Sequence, residues 1–503
     1  MSEPFYITTA ISYPNGPPHI GHAYEAIAAD AIARFQRSQG RDVRFQTGTD
    51  EHGLKMAQAA RAEGVEPRAL ADRMSRLFQD MCDTLNVSYD LFIRTSQPDH
   101  YRASQAIWKA MEERGDLYLD RYEGWYSVRD EAYYEEDELT VGEDGAKLSP
   151  QGTPVEWTVE ESWFFRLSKY QQPLLDHYAA NPEIIMPETR RNEVVRFVEG
   201  GLKDLSISRT SFDWGVPVPG RDNHVMYVWL DALTNYITGL GYPDDTELWR
   251  RYWPADVHLI GKDVVRFHAV YWPAFLMSAG IALPKQVYGH GFLLSRGEKM
   301  SKSVGNVVDP MVLADRFGVD ALRYFLLREV SFGQDGSYSA EAIVNRANAE
   351  LANSFGNLAQ RTLSMVHKNL GGVLPAAGQA PEDRKLLDFV QGVTTVDMVE
   401  HFGGFGFSYG IEGWLRAVFA CNAYVDTQAP WTLRKTDPER MAAVLGTLVD
   451  AVRKLTAAIA PIIPESAEKL LALIDSGEGG APIAQPTPLF PRLELPEDEE
   501  AAA

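Results

Sequence analysis

The chain has 503 residues, 45% of them hydrophobic, and a formal net charge of −22. That length gives room for two to four domains with ample core, and no apolar run reaches the roughly eighteen residues that a membrane span needs. The acidic balance predicts weak non-specific attraction to nucleic acid, but a specific partner can still be met by a local basic surface.

From the N-terminus, Met1 to Ile7 lead straight into a strand-like run without a signal-peptide or transit-peptide pattern, so a cytoplasmic protein with no membrane partner is expected. Residues 4–11 read as a buried strand, being β-branched and aromatic. A Pro/Gly-rich loop follows, Tyr13-Pro14-Asn15-Gly16-Pro17-Pro18, then a helical pattern from His19 to about Gln39, ended by Gly40. A second strand, Val43 to Thr47, runs into Gly48-Thr49-Asp50-Glu51-His52-Gly53. Strand, loop, helix, strand is how a parallel nucleotide-binding sheet begins.

From about Gly115 to Asn223 aromatics and carboxylates alternate in short segments, which predicts a mixed α/β insertion. The parallel-sheet pattern is expected to resume at Met226-Tyr227-Val228-Trp229, at Val257 to Gly261, and at Gln286 to Tyr288. After about Ala340 no strand pattern survives. Apolar residues recur at helical spacing, as at Val452, Leu455, Ile459 and Ile463, predicting an all-helical domain. The last segment, Leu493 to Ala503, is acidic and expected to fray. Two cysteines, Cys82 and Cys421, stand far apart, which excludes a disulfide framework and a cysteine-rich zinc site.

Two motifs carry the chemistry. His19-Ile20-Gly21-His22 begins a helix just after the first strand, where free N–H groups and partial positive charge suit a phosphate. His19 and His22 share a helix face, and Gly21 leaves the backbone open to a flat base. About 280 residues later, Lys299-Met300-Ser301-Lys302-Ser303 offers two ammonium groups and two hydroxyls that can close over a triphosphate as pyrophosphate leaves. Alone, each has a bland reading: surface histidines, or a solvated basic loop.

Together, in this order and each at the end of a strand, they resemble the HIGH and KMSKS signatures of class I aminoacyl-tRNA synthetases. Tyr227 to Ala232, Gly261 to His268 and Glu160 to Phe165 narrow the resemblance to the methionine enzymes, over nearly the whole chain. A non-enzymatic relative would be expected to lose one of His19, His22, Lys299 or Lys302, and all four are present. The resemblance implies a Rossmann-type parallel-sheet catalytic domain in two halves, 1–115 and 225–298, around a connective insertion, 116–224. It also implies a KMSKS loop and stem-contact region at 299–344, an all-α helical-bundle domain at 345–490 that binds the anticodon, and an acidic tail at 491–503.

It further implies a methionine pocket of Ile11, Tyr13, Trp229, Ala232, Leu233, Tyr236, Phe267 and His268, where aromatic edges suit a soft thioether. Asp50 would bind the substrate ammonium. Leu233 stands where proline is frequent in the family, implying a small change of pocket shape. Asp263 would hold the ATP ribose, with Gly261 and Gly289 clearing the adenosine path, and Arg209 resembles an arginine that enters the active site. Asn357, Arg361, Pro430 and Trp431 would read the anticodon through base-edge hydrogen bonds and stacking. The expected substrates are L-methionine, ATP with Mg2+, and tRNA(Met) including the initiator. Ser127-Val128-Arg129-Asp130 lacks the cysteine knuckle of many relatives, implying no structural zinc, and a monomer is expected.

Overall fold

The computed structural model of the chain describes residues 2–130, 132–142, 145–295, 298–299 and 308–495. It divides into two compact units, one of Met1–Ala29, Gln39–Asp83 and Ser88–His290, the other of Asp30–Ser38, Thr84–Val87 and Gly291–Ala503.

The first unit is built on a six-stranded sheet. Its spatial order is Leu91–Arg94, Asp42–Thr49, Pro4–Thr9, Val257–Gly261, Val287–His290 and Ile185–Met186. Every pairing is parallel. Parallel strands need long crossovers, and helices Ile20–Ser38 and Trp272–Ala279 lie in two of them. Strands covered on both faces carry unbroken apolar runs rather than alternation; in Pro4–Thr9 every residue after the first is buried. Ile7 pairs with Phe45 on one side and Val257 on the other. Strand order reverses there, and such a switch point opens a crevice at the carboxyl ends of the strands.

The insertion forms a four-stranded sheet, dominated by the antiparallel pair Leu117–Ser127 and Glu156–Phe165, with helices Gln171–Ala180 and Glu188–Glu199. One expectation is corrected. Met226 to Trp229 is not a strand of the parallel sheet: Val225–Met226 pairs antiparallel with Ser208–Arg209, and Val228–Thr238 is a helix. Val, Trp and Tyr favour strands locally, but burial on nearly every side of this segment supports a helix as well. The insertion also lends the parallel sheet its edge strand, Ile185–Met186, too short for periodicity to reveal. Leu493, the first residue of the acidic segment, is fastened: its N–H donates to Asn348 Oδ1 at 2.8 Å while its carbonyl accepts from Asn348 Nδ2 at 2.9 Å, and residues 496–503 of the segment expected to fray lie outside the described residues. The Asn348 amide thus mimics a backbone pair.

The second unit is helical beyond Ala340. Helix Pro438–Ile459 lies at its core, with Leu445, Leu448, Val452, Leu455 and Ile459 all buried. Trp414, on helix Phe407–Gln428, is fully enclosed and its indole N–H donates to the Leu455 carbonyl at 3.0 Å. Among the described residues no helix is long and apolar enough to cross a membrane.

Arg323 is a fully buried charge of this unit. Its guanidinium donates to Asp30 Oδ2 at 2.6 Å and to the carbonyls of Leu85, Pro461 and Ile462 at 3.0–3.1 Å. Asp30 also accepts from Arg34 at 2.7 Å. Removing one partner of a buried, hydrogen-bonded pair costs about 3–5 kcal/mol. Arg323→Met is expected at the low end, about 3 kcal/mol, because Arg34 still faces Asp30; a urea midpoint shift well below that would show the node to be weakly coupled to folding.

Candidate active site

At the switch point the chain leaving Pro4–Thr9 stays beside the second strand. Ser12 N–H donates to the Gly48 carbonyl and Asp50 N–H to the Ser12 carbonyl, each at 2.9 Å. The proline-rich turn then delivers the chain to helix Ile20–Ser38. Its N-terminus is capped by the two motif histidines. His19 Nδ1 accepts from the Gly21 N–H at 3.0 Å, and His22 Nδ1 accepts from the His19 N–H at 3.1 Å.

This reciprocal arrangement has the logic of a capping box, with imidazoles in place of Ser and Glu. It fixes the tautomer, because a neutral ring whose Nδ1 accepts carries its proton on Nε2. Two Nε2–H donors, on rings with centroids 3.8 Å apart, therefore stand at a helix N-terminus, a ready anion site. A Cβ on Gly21 would lie 2.8 Å from His19 Cε1, so the glycine makes room for the capping ring.

Three residues past His22, on the same face, Glu25 gathers the ends of two further strands. It meets His290 Nε2 at 2.8 Å, and the Gly261 N–H donates to it. Burial raises the Glu25 carboxyl above its usual range, the His290 bond opposes this, and the charge of nearby Asp263 adds to it. The structure thus brings Gly261, Asp263 and Gly289 to the histidine helix. Asp263 is exposed, its carboxylate folded over Gly261, where a Cβ would sit 2.8 Å from Oδ1. A Cβ on Gly289 would meet Val265 at 2.5 Å. Sequence reasoning missed Glu25, although its spacing from His22 was a usable sign.

An aromatic wall lies on helix Val228–Thr238. Trp229, Ala232, Leu233 and Tyr236 share one face at helical spacing. Opposite runs a π-helical turn, Phe267–Tyr271, of a kind frequent at functional sites. Trp229 and Phe267 stack at 3.7 Å with planes 7° apart. His268 Nδ1 donates to the Val264 carbonyl at 2.9 Å, so its Nε2 accepts from the Tyr236 hydroxyl at 2.6 Å. Tyr236 also stacks on His258 at 4.1 Å.

Burial holds His268 neutral, down to about 4, and His258 well below its usual value. Burial keeps the Tyr236 phenol protonated, with Glu25 and Asp50 among the charges reinforcing it. Asp50 is buried close by. Half-buried Tyr13 packs with Met56, Ala60, Leu70 and Met74 and accepts from the Met56 N–H at 3.0 Å; Ile11 is likewise half-buried.

Asp231, on the same helix as Trp229, lies between His52 at 2.6 Å and His100 at 2.7 Å. Burial alone would raise its carboxyl, but the His52 charge and the hydrogen bonds from both rings outweigh it and hold it at about 2. Sequence reasoning quoted Asp231 and His52 within their motifs and gave them no role.

Arg209 is buried, donates to Ser206 Oγ at 2.8 Å and the Ser208 carbonyl at 2.7 Å, and lies under the rings of Tyr133 and Tyr227 at 4.8 and 4.6 Å. Short side chains and aromatic faces around the strand Ser208–Arg209 hold the guanidinium in place. Lys302 and the side chain of Lys299 lie outside the described residues. The strand Glu298–Lys299 pairs antiparallel with Leu293–Ser295.

In the helical unit, Asn357 and Arg361 lie one turn apart on Asn357–Asn369, directly after a ten-residue π-helical stretch, Ala347–Gly356. Arg361 sits 5.6 Å from the ring of Trp431, which is 46% exposed, and 3.5 Å from Asp426. Pro430 opens the short helix that presents Trp431. Among the described residues no group of three or more His, Cys, Asp or Glu is placed to hold a metal.

His268 gives the site a pH signature. The unfolded chain takes up its proton near pH 6.5, the folded chain only near pH 4. Its contribution is therefore complete above pH 6.5 and lost as pH falls towards 4, about 3 kcal/mol at some 1.4 kcal/mol per unit. His258 acts in the same direction, whereas Asp231 stays ionised throughout that window. Denaturation at pH 7.0, 5.5 and 4.5 should show this fall, and His268→Gln should reduce it while the His258 contribution remains.

Comparison with known proteins agrees over both units. The family model described as tRNA synthetases class I (M) matches residues 5–363, and that for the anticodon binding domain of methionyl tRNA ligase matches 412–486. Methionine–tRNA ligase of Brucella suis is 58% identical over 97% of this chain and 98% of its own length. That of Mycobacterium bovis is 56% identical over 99% of each. The structure of Mycobacterium tuberculosis methionyl-tRNA synthetase in complex with methionyl-adenylate superposes with a TM-score of 0.94 at 56% identity, covering 97% of this chain and all of that one. With its strand order, its histidine-capped helix and its helical unit all accounted for, the chain belongs to the methionyl-tRNA synthetases, the class I methionine–tRNA ligases.

Proposed function

We propose that the ligase reaction is carried by His19 and His22 as neutral donors to ATP phosphate oxygens, and the observation that carries this is their reciprocal cap. The methionine carboxylate attacks the α-phosphorus, pyrophosphate leaves, and the terminal ribose of the tRNA then attacks the mixed anhydride. No side chain becomes covalently attached, so rate enhancement comes from positioning and from charge stabilisation as pyrophosphate departs. Lys299 and Lys302 supply that positive charge by family resemblance. Gly261, Asp263 and Gly289 line the adenosine side, with Glu25 fixing the strand ends that bear them.

Asp50 pairs with the substrate ammonium. Trp229, Phe267, Tyr236 and His268 enclose the thioether, backed by Ala232 and Leu233, with Ile11 and Tyr13 completing the mouth. The adenylate complex of the Mycobacterium tuberculosis relative supports this assignment. Arg209 belongs to the reacting set by family resemblance, its guanidinium steadied by Ser206, the Ser208 carbonyl and the tyrosine rings.

Asn357, Arg361, Pro430 and Trp431 form the anticodon surface, for tRNA(Met) and its initiator form alike. An exposed indole beside an arginine is a platform for an unstacked base. Mg2+ arrives on the ATP triphosphate and screens its charge; the chain needs no structural zinc and works as a cytoplasmic monomer.

ATP–pyrophosphate exchange, run with each amino acid separately, tests the reading. Exchange is expected with methionine alone and should largely vanish in Lys302→Ala; exchange driven by another amino acid would overturn the pocket. Trp431→Ala should leave exchange intact while weakening tRNA charging, with about 1–3 kcal/mol lost from the stacking of one base.

A further inference from the structure

The buried trio of Asp231, His52 and His100 has no part in the reaction as described. All three side chains are closed to solvent. Each histidine is held at both nitrogens: His52 Nε2 lies 2.9 Å from the Tyr101 hydroxyl, and His100 Nδ1 lies 3.1 Å from the Thr238 hydroxyl. Trp214 closes over the His52 ring at 5.2 Å, and its indole N–H donates to the Glu51 carbonyl at 2.6 Å. A buried polar network so fully satisfied is rigid, and its geometry is passed on to whatever it joins.

What it joins is specific. Asp231 is on helix Val228–Thr238, turned away from the face that carries Trp229, Ala232, Leu233 and Tyr236. His52 follows Asp50 by two residues on the segment leaving strand Asp42–Thr49. The bond between them is thus a strut of fixed length linking the ammonium partner to the aromatic wall. Methionine must satisfy both at once, and such constellations tolerate only about 0.5 Å of misplacement.

We propose that Asp231, acting through His52, is a positioning residue for methionine, setting Asp50 at the distance from Trp229 and Tyr236 that lets one substrate reach both. This rests on the reading of Asp50 as the ammonium partner. A purely stabilising role would lower the folded fraction and shift both substrates alike. A strut shifts methionine alone, and only while Asp50 is there to be aligned.

The test is pyrophosphate exchange with full-length protein, folding checked by circular dichroism, and KM measured separately for methionine and ATP. Asp231→Asn and His52→Gln should each raise the methionine KM by about tenfold, with the ATP KM within about twofold. In an Asp50→Asn background the same substitutions should add less than about twofold, because coupled residues are non-additive. Equal effects in both backgrounds, or an ATP KM moving with that of methionine, would overturn the strut. If Asp50→Asn raises the methionine KM while neither Asp231→Asn nor His52→Gln does, the strut fails and the ammonium reading stands. If Asp50→Asn leaves that KM unchanged, both fall. Should Asp231→Asn not fold, His52→Gln in the two backgrounds carries the same comparison.

Discussion

The parallel pairing of Pro4–Thr9 with Val257–Gly261 is the constraint on which the site depends. It joins segments some 250 residues apart and puts the histidine turn, which follows one strand, beside Gly261 and Asp263, which end the other. Neither half can assemble the site alone. Glu25 reinforces the junction from the helix side, meeting His290 and the Gly261 N–H and so tying the helix to two strand ends.

Much of the chemistry then follows from where protons are held. Helix capping makes Nδ1 of both His19 and His22 an acceptor, which puts the proton of each neutral ring on Nε2. In the proposed phosphate role a neutral donor orients oxygens without adding a permanent charge. The aromatic wall uses the same device at greater depth: burial keeps His268 neutral, so it can accept from Tyr236. Asp231, equally buried, remains ionised because two imidazoles surround it. The environment decides which group carries charge.

The particulars divide by range. Strands such as Pro4–Thr9, buried on both sides, advertise themselves as continuous apolar runs, and the helices after Ala340 show their period plainly. Val228–Thr238 does neither: it is buried nearly all round, so strand-favouring residues misled, and packing against neighbours decided in favour of a helix. The contacts of Arg209 come from the sheet of the insertion, the strand it sits on and the residue before a later helix. No local pattern could report that. The end of the tail at Leu493 was legible as acidic, but its fastening depends on Asn348, 145 residues earlier.

The sequence by itself determined the family, the order of most elements and the two motifs. All of these are local strings, whose chemistry is carried by side chains within a few positions of one another. Only the tertiary structure decided which nitrogen of each motif histidine accepts, that Glu25 and His290 tie helix to sheet, and that Asp231 stands between His52 and His100. Those facts depend on distances between segments far apart in the chain and on burial, and both exist only once the backbone has closed around them.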